Sequence, residues 1–268
     1  MELAAYLDRI GFAGRARPDL ATLKAVHRAH LLAIPYENLD VQLGRPVTTD
    51  PADAFDKIVR RRRGGWCYEM NGLLGWALAE IGFDVTRMAG GVHRATFGDA
   101  AMGNHLILRV DLDESWLADV GFGDGPSEPY RIAPAGFSEA GFDFALEALP
   151  DGWWRLHNHP RGGAPSFDFR DEPADEALFT TSCHRLQTAP DSSFVLNAVV
   201  QRQRTDGYAA MRGRTLKILT AEDTVERRLD SADEYVSVLS EVFALDLPEA
   251  ASLWPAIVAR HEALFGAD

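Results

Sequence analysis

The stretch of this chain that decides its architecture is Arg63-Gly64-Gly65-Trp66-Cys67-Tyr68-Glu69-Met70-Asn71-Gly72. The apolar residues that follow it recur at helical spacing and end at Gly82, which predicts a sharp turn into a helix that begins near Cys67. Unpaired backbone N–H groups and the helix dipole favour a thiolate at such a position, so Cys67 is a candidate nucleophile. The alternative interpretation is a small buried core side chain.

Two short segments downstream supply partners for this cysteine. Residues 104–110 alternate apolar and polar positions, residues 116–123 begin with a short apolar run, and the turn-forming residues between them predict a β-hairpin. Pairing Val110 with Glu114 places His105 opposite Asp119, and directly opposed residues share a face of the sheet. The expected result is a Cys-His-Asp arrangement in which Asp119 orients the imidazole that faces the thiol of Cys67.

These segments, together with Ile34-Pro35-Tyr36-Glu37-Asn38-Leu39-Asp40, resemble the signature blocks of the arylamine N-acetyltransferases in order and separation. The resemblance extends from the N-terminus to about residue 125, with fainter similarity around residues 190–194 and 213–216. It implies that Cys67 accepts the acyl group, that His105 is its base and that Asp119 orients this histidine. It also implies acetyl-CoA as the acyl donor, and no metal is expected.

The fold that the resemblance implies is α+β and has three parts. A helical bundle over residues 1–84 carries the cysteine, an antiparallel β-barrel over 85–195 carries the histidine and the aspartate, and an α/β lid covers 196–268. The residue pattern agrees, because helical spacing dominates the first part and a period of two with frequent turns follows it. The last part has short strands near 194–201, 215–219 and 225–229, a capping box at 231–234 and a final helix near 254–265.

Four further residues are expected to contact substrate: Tyr36, Trp66, Phe122 and Gly123. The family often has Phe where this chain has Tyr36, so the extra hydroxyl lies near the implied acyl pocket and bears on acceptor preference. Backbone N–H groups around Cys67 or Trp66, and in the turn at 121–123, are candidates for stabilising an oxyanion. Beyond residue 200 the resemblance is too weak to assign the coenzyme A contacts.

Composition limits the partners and the compartment. The formal net charge of −13 opposes binding to nucleic acid, and the chain has no basic stripe with interleaved aromatic residues. It has no apolar run long enough to span a bilayer, and its first residues begin an amphipathic helix, unlike a signal peptide. Two cysteines are too few for a secreted disulfide scaffold of this size, so a reducing cytoplasm is expected. The oligomeric state stays open.

Other clusters of charged or metal-capable residues have simpler interpretations. The four arginines at 60–63 precede two glycines, as is typical of a helix C-terminus. Arg63 is also predicted to pair with Glu37 and so to hold the loop that carries Cys67. Four side chains could in principle bind zinc, but their spacings match no closed zinc motif, and the thiol among them is expected to be structural: His157, His159, Cys183 and His184.

The function expected from these residues is acetyl transfer by a ping-pong mechanism. Cys67 would take the acetyl group from acetyl-CoA and pass it to the nitrogen, or the N-hydroxyl oxygen, of an arylamine, arylhydrazine or arylhydroxylamine. The resemblance also permits an amide synthase that closes polyketide macrolactams. The same triad permits a cysteine hydrolase of papain or transglutaminase type. A protein that binds acyl-CoA without turnover is the remaining alternative, which the intact triad disfavours.

Overall fold

The structure is a computed structural model that describes residues 1–266. Helices and antiparallel strands occupy it in an α+β arrangement, which confirms the predicted fold class. The helices are α1 Leu3–Ile10, α2 Leu20–Ala33, α3 Leu39–Gln42, α4 Pro51–Phe55, α5 Cys67–Ile81, α6 Arg94–Phe97, α7 Glu176–Thr188, α8 Ser193–Leu196, α9 Ala232–Glu241 and α10 Trp254–Phe265. A π-helical turn follows α4 at Asp56–Arg60, and 3₁₀ turns cover Gly98–Ala101, Pro150–Gly152 and Pro248–Leu253.

Across residues 1–266 the strands form two antiparallel sheets. The strands are β1 Tyr36–Glu37, β2 Asp84–Val92, β3 His105–Asp111, β4 Ser115–Ala118, β5 Tyr130–Arg131, β6 Ala135–Glu139, β7 Phe142–Ala148, β8 Trp153–His157, β9 Ser166–Arg170, β10 Val199–Arg204, β11 Gly207–Arg212, β12 Thr215–Thr220 and β13 Thr224–Arg228. One sheet has the order β1-β10-β11-β12-β13 and the other β5-β4-β3-β2-β9-β8-β7-β6. Strand β1 thus ties the N-terminal segment to the C-terminal third. The division of the chain into three parts at about residues 84 and 195 stays a prediction.

The eight-stranded sheet is curled into a half-barrel. Its two outermost strands, β5 and β6, follow each other directly along the chain. The ring of Tyr130 in β5 stacks on that of Phe137 in β6, with ring centroids 5.3 Å apart. The two edges of the sheet therefore meet, which requires strong twist and curvature. Buried aromatic side chains, including Phe167 and Phe169, fill its concave side.

Helix α5 lies at the centre of the N-terminal core. Leu73, Leu74 and Leu78 are completely buried and pack with apolar side chains of α1, α2 and β3. A helix that is covered on every side has apolar residues all round, and this explains why its sequence lacks a clear polar face. The helix ends at Gly82, whose φ of 106° is a left-handed conformation that glycine adopts readily. The predicted helix is confirmed, and core packing fixes its first turn in space.

The hairpin of β3 and β4 is present, but its register differs from the predicted one. Asp111 pairs with Ser115, whereas Val110 was expected to pair with Glu114. The Ser115 hydroxyl donates to the Asp111 carboxylate at 2.6 Å and closes the three-residue loop at that position. The predicted register is therefore wrong by one position in each strand. A shift of this kind keeps the same residues on the same face, so the expected proximity of histidine and aspartate survives it.

The chain between β9 and β10 departs from the predicted run of strands. Helices α7 and α8 occupy this segment, and the strand expected from Phe194 begins only at Val199. Asp175 caps α7 by accepting a hydrogen bond from a backbone N–H of its first turn. Cys183 thus lies inside a helix, in a stretch of the chain where a period of two was expected. Its helix buries only this cysteine and Phe179, so few apolar positions mark a helical period.

Both ends of the chain follow the prediction. Helices α1 and α2 lie in the first part of the chain, where helical spacing dominates, and α4 begins at Pro51 after the capping carboxylate of Asp50. Ser231 caps α9 by accepting from the N–H of Glu234 at 3.1 Å, and α10 covers the expected final helix. Among residues 1–266, no helix combines the length and the apolar character that crossing a membrane requires.

Candidate active site

Cys67 is the first residue of α5 and follows a loop that only glycine can form. A Cβ on Gly64 would lie 2.1 Å from a backbone carbonyl oxygen, and a Cβ on Gly65 would lie 2.8 Å from Cβ of Glu69. The chain therefore turns tightly into the helix, where the first N–H groups have no partners within the helix. The thiol is 3% exposed, and its Sγ lies 3.8 Å from the carbonyl oxygen of Asn104.

His105 and Asp119 form a direct pair at the ends of β3 and β4. The Nε2 atom of His105 lies 2.7 Å from Oδ2 of Asp119. The observed register makes the two residues diagonal neighbours, so their predicted direct opposition is wrong while their shared face is confirmed. The other oxygen of Asp119 accepts from the side-chain amide of Asn71 at 2.7 Å and from the N–H of Gly121 at 2.8 Å. Both carboxylate oxygens are thus hydrogen-bonded.

The electrostatics of this pair favour a charged imidazole. Burial alone would lower the pKa of His105, but the Asp119 carboxylate, with a smaller contribution from hydrogen bonding to Cys67, raises it to about 10. Burial would raise the pKa of Asp119, yet the charge of His105 and the hydrogen bonds hold it below its usual value. His105 therefore keeps its proton at neutral pH. Because Asp119 occupies Nε2, the nitrogen left for the thiol is Nδ1.

The turn after Asp119 passes so close to α5 that it requires glycine. A Cβ on Gly121 would lie 2.6 Å from Cα of Cys67 and 2.7 Å from the side-chain nitrogen of Asn71. The next residue, Phe122, places its ring 5.5 Å from the imidazole of His105. The glycine thus allows the aspartate-bearing turn to lie against the first turn of the helix, which contains Cys67.

A buried ion pair lies beneath the loop that carries Cys67. The Nη2 atom of Arg63 lies 2.8 Å from Oε1 of Glu37, and both side chains are buried, which confirms the predicted pair. The neighbouring arginines behave differently, since Arg60 and Arg61 are exposed and face Asp56 at the end of the preceding helical turn. Only the last arginine of the run therefore holds the loop.

Three further charged side chains complete this buried cluster and reach the helix start. The Nζ atom of Lys57 lies 3.0 Å from Oε2 of Glu69 and 3.2 Å from Oδ2 of Asp40. Glu69 also accepts a hydrogen bond from the N–H of Trp66 at 3.2 Å. Burial raises the pKa of Glu69 to about 7, although Lys57 opposes this effect. The carboxyl group next to the loop that carries Cys67 thus has a pKa close to neutral pH.

A cavity of about 630 Å³ opens beside Cys67. Four of the predicted site residues line it: Tyr36, Cys67, His105 and Phe122. Trp66 and Gly123 are not among the described residues that line this cavity. Trp66 packs edge-on against Tyr68 and Phe194, and Gly123 has a left-handed φ of 81° in the turn after the aspartate. Their predicted contact with substrate stays a prediction.

The charged groups of the cavity include residues that were not predicted from the sequence. Its basic side chains are Arg161, Arg212 and Lys217. Asp124 also lines it, is 4% exposed, and accepts hydrogen bonds from Asn158 at 3.0 Å and from the N–H of Gly163 at 2.5 Å. Burial raises the pKa of Asp124. Its only sequence signal was its place in the glycine-rich turn that follows Asp119.

The metal-capable residues named from the sequence do not converge. Within the described part of the chain, no three His, Cys, Asp or Glu side chains are grouped so that they could hold a metal ion. His157 pairs with Glu147 at 2.7 Å, and the ring of His159 packs against that of Phe142. Cys183 lies with its Sγ 3.6 Å from the carbonyl oxygen of Val47.

Two polar side chains beside Asp119 also went unpredicted. Asn71 contacts the carboxylate, and its signal was its position four residues after Cys67, which puts both side chains on one face of α5. His27 accepts from the backbone N–H of Asp119 at 3.1 Å and donates from Nδ1 to the carbonyl oxygen of Ser127 at 2.9 Å. Burial lowers the pKa of His27, which therefore stays neutral. No local pattern marked this histidine.

Comparison with known proteins places this chain in a family. A family profile described as N-acetyltransferase matches residues 19–252. The arylamine N-acetyltransferase of Mycolicibacterium smegmatis is 37% identical over 268 residues, which cover 94% of each chain. The chain belongs to the arylamine N-acetyltransferase family. A pineal gland isozyme of arylamine N-acetyltransferase from Gallus gallus is 33% identical and covers 92% of this chain and 95% of its own.

Family members share the fold as well as the sequence. The solved structure of the Mycobacterium marinum arylamine N-acetyltransferase in complex with CoA superimposes with a TM-score of 0.86 at 30% identity. The superposition covers 97% of this chain and 98% of that one. The family resemblance that was inferred from four short blocks is therefore confirmed over nearly the whole chain, including the C-terminal third where the sequence similarity was faint.

Proposed function

We propose that this protein transfers the acetyl group of acetyl-CoA to the nitrogen, or the N-hydroxyl oxygen, of arylamines, arylhydrazines or arylhydroxylamines. The observation that carries the proposal is a thiol at the first turn of α5 that shares a cavity with His105, whose Nε2 lies 2.7 Å from Asp119. Membership of the arylamine N-acetyltransferase family supports the acceptor class. The relative in complex with CoA supports the donor.

The first half-reaction forms an acetyl-cysteine. The sulfur of Cys67 attacks the carbonyl carbon of the acetyl thioester while the proton of the thiol rests on Nδ1 of His105. Asp119 stabilises the resulting imidazolium. When the tetrahedral intermediate collapses, the bond to the coenzyme A sulfur breaks and His105 gives its proton to that sulfur. One thioester replaces another, so the step is nearly isoenergetic and the acetyl-enzyme can wait for an acceptor.

The second half-reaction discharges the acetyl-cysteine. The acceptor nitrogen attacks the acetyl carbonyl carbon, and the now neutral His105 takes the proton that this nitrogen loses. Collapse of the second tetrahedral intermediate breaks the bond to the sulfur of Cys67. The thiolate returns to its place beside the imidazolium, and the amide product leaves. The pair that the pKa shift of His105 favours is therefore both the starting point and the end point of the cycle.

The groups that contact substrate follow from the lining of the cavity. Tyr36 and Phe122 are proposed to contact the acetyl group or the aryl ring, since both line the cavity. Backbone N–H groups near Trp66, and in the turn that contains Gly123, are proposed to stabilise the oxyanion. Coenzyme A is an anion, and the protein has a net charge of −13, so its phosphates need a local group of basic side chains. We assign the phosphates to the basic residues that line the cavity: Arg161, Arg212 and Lys217.

The architecture proposed for this activity is a helical bundle over 1–84, a β-barrel over 85–195 and an α/β lid over 196–268, the last two residues of which lie outside the described residues. We also propose a cytoplasmic protein, because both cysteines are free thiols in the described structure and a reducing compartment preserves them. Nucleic acid and membranes are not proposed as partners, since the net charge is −13.

The proposal is tested by mixing the protein with radiolabelled acetyl-CoA in the absence of an acceptor. We expect one label per chain, lost in Cys67→Ala and kept in Cys183→Ala, and discharged quickly by an arylamine but slowly by water. Discharge by water alone at the same rate identifies a hydrolase. Failure to take up label identifies a protein without turnover. An amide synthase would instead take up the acyl chain of a long amino-acyl thioester and release it as a cyclic amide, which a parallel incubation with such a thioester detects.

A further inference from the structure

The side chain of Asn71 joins the three segments that carry the proposed catalytic residues. It is completely buried and lies one helical turn after Cys67. Its Nδ2 donates to Oδ1 of Asp119 at 2.7 Å and to the carbonyl oxygen of Leu106 at 2.6 Å. Its Oδ1 accepts from the N–H of Val120 at 2.9 Å. One amide thus links the nucleophile helix, the strand that begins with the histidine, and the turn that carries the aspartate.

The chemistry of these contacts selects an amide. Asn71 uses both hydrogens of its Nδ2 on acceptors and its oxygen on a donor. A carboxylate at this position would face the Asp119 carboxylate and a carbonyl oxygen without any hydrogen to offer. An alkyl side chain would leave a buried carboxylate oxygen and a buried backbone N–H short of a partner, which is costly.

We propose that Asn71 is a positioning residue for acyl transfer, which holds the Asp119 carboxylate ionised with one oxygen free for His105. The inference rests on the proposed function, because it assigns Asn71 a role through Asp119. Oδ1 of Asp119 is occupied by Asn71 and by the N–H of Gly121, so Oδ2 is the oxygen that remains for the imidazole. Without Asn71, the carboxylate could rotate or accept a proton, and either change would weaken its support of the imidazolium.

The pH dependence of the thiol reports this role, because few other groups near Asp119 titrate in the same range. The titratable groups that face the carboxylate are Cys67, His105, His27, Tyr36 and Tyr130. Burial raises the pKa of both tyrosines well above 10, and His27 stays neutral because burial lowers its pKa. The decrease in the Cys67 alkylation rate as the pH is lowered, here called the acid limb, therefore depends on Cys67, His105 and Asp119 together.

The chain contains a matched control in Asn38. This side chain is 2% exposed, and its Nδ2 donates to the carbonyl oxygens of Phe194 and Asn197, each at 2.9 Å. Its Oδ1 accepts from the N–H of Val199 at 2.8 Å. Like Asn71, it is a buried amide with three hydrogen bonds that join distant segments, but none of its hydrogen bonds reaches the aspartate. Equivalent substitutions at the two positions separate lost packing from lost positioning.

The experiment measures the rate of Cys67 alkylation by iodoacetamide against pH in four full-length variants: Asn71→Ala, Asn71→Asp, Asn38→Ala and Asn38→Asp. Loss of an N–H donor raises the pKa of a carboxylate, and a second carboxylate raises it further. We expect the acid limb to move to higher pH by about one unit or more in Asn71→Asp and by less in Asn71→Ala. The rate on the plateau should fall by about 10- to 100-fold in both. The Asn38 variants should keep the wild-type acid limb.

Melting curves of the four variants identify loss of folding. If Asn71→Asp does not fold, Asn71→Ser replaces it, since its hydroxyl is too short to reach the carboxylate. An unchanged acid limb and plateau in the folded Asn71 variants would overturn the inference. So would a shift of equal size in the Asn38 variants. A wild-type protein that takes up no acetyl group would instead overturn the proposed function, so the two failures are distinguishable.

Discussion

The two cysteines of this chain are buried to a similar degree but lie in different chemical surroundings. Cys67 and Cys183 are 3% and 2% exposed, and both belong to the same buried apolar cluster. Cys67 begins α5 and faces His105, whereas Cys183 lies in the middle of α7 beside a backbone carbonyl oxygen and the amide of Gln187. Burial, with the negative charges of Cys67 and Glu69, raises the pKa of Cys183 to about 12.

A neighbouring charged group, and not the depth of burial, decides whether a buried thiol of this protein is reactive. Burial disfavours a thiolate at both positions. Of the two cysteines, Cys67 is the one that faces an imidazole paired with a carboxylate. This pairing raises the pKa of His105 to about 10, so the imidazole stays protonated. A positive charge next to the sulfur compensates the cost of forming a buried anion. The following experiments separate the two sites by removing one contribution at a time.

The largest difference is expected when each thiol is removed. Cys67→Ala should lower the rate of acetyl transfer from acetyl-CoA to an arylamine by about 10⁴-fold, because no other group can carry the acetyl intermediate. Cys183→Ala should lower it by less than about twofold, since that thiol takes part in no step. Steady-state assays with the two purified variants measure both effects. Comparable losses would mean that Cys183 also takes part in the reaction.

Removal of the base should make the two thiols alike. In His105→Gln we expect the rate of Cys67 alkylation by iodoacetamide at neutral pH to fall by about 100-fold, toward the rate of Cys183. Cys183 should react at its wild-type rate. Mass spectrometry of the two cysteine peptides after timed labelling measures both rates in one sample. A Cys67 rate that is unaffected by the substitution would show that the imidazole does not activate the thiol.

The pH dependence of the two alkylation rates should also differ. His105 keeps its proton up to a pKa of about 10, so the ion pair persists and the Cys67 rate should stay nearly constant from about pH 8 to 9.5. The pKa of Cys183 is about 12, so its thiolate fraction, and hence its rate, should rise about tenfold per pH unit over the same range. The same labelling assay at several pH values tests this. Parallel slopes would contradict the ion pair.

The smallest expected difference concerns the ion pairs that support the two regions. Arg63→Met leaves Glu37 buried without its closest partner and should lower the free energy of unfolding by about 3 kcal/mol, with slower Cys67 alkylation. Arg185 pairs with Asp191 on the exposed face of α7, so Arg185→Met should leave the melting temperature nearly unchanged. Denaturant titration measures both. Equal free energies of unfolding in the two variants would contradict a structural role for the buried pair.

Local patterns predicted the nucleophile helix and its supporting pair because their signals lie close together along the chain. Two glycines before Cys67 and one at position 82 mark both ends of α5. The hairpin register was missed because two three-residue loops keep the same parity, and only the hydrogen bond between Ser115 and Asp111 selects one. The alternation of side chains between the two faces of a strand was enough to predict the contact between His105 and Asp119, although their exact pairing was wrong.

The parts that escaped prediction depend on contacts between distant segments. Helix α7 buries too few side chains to show a helical period, so its segment was assigned to strands. Asn71 and His27 gain their roles only when the turn at Asp119 folds against α5 and α2. Asp124 lines the cavity because the β8–β9 loop lies beside it. No periodicity within a single segment contains such information.

The most direct test of the proposed mechanism locates the acetyl group after a single half-reaction. The protein is mixed with acetyl-CoA without an acceptor, quenched in acid within seconds, digested and examined by peptide mass spectrometry. The proposed mechanism predicts one acetyl group, on the peptide that contains Cys67, and an unmodified Cys183. An acetyl group on Cys183, or a protein that binds acetyl-CoA and carries no acetyl group on either cysteine, would contradict it.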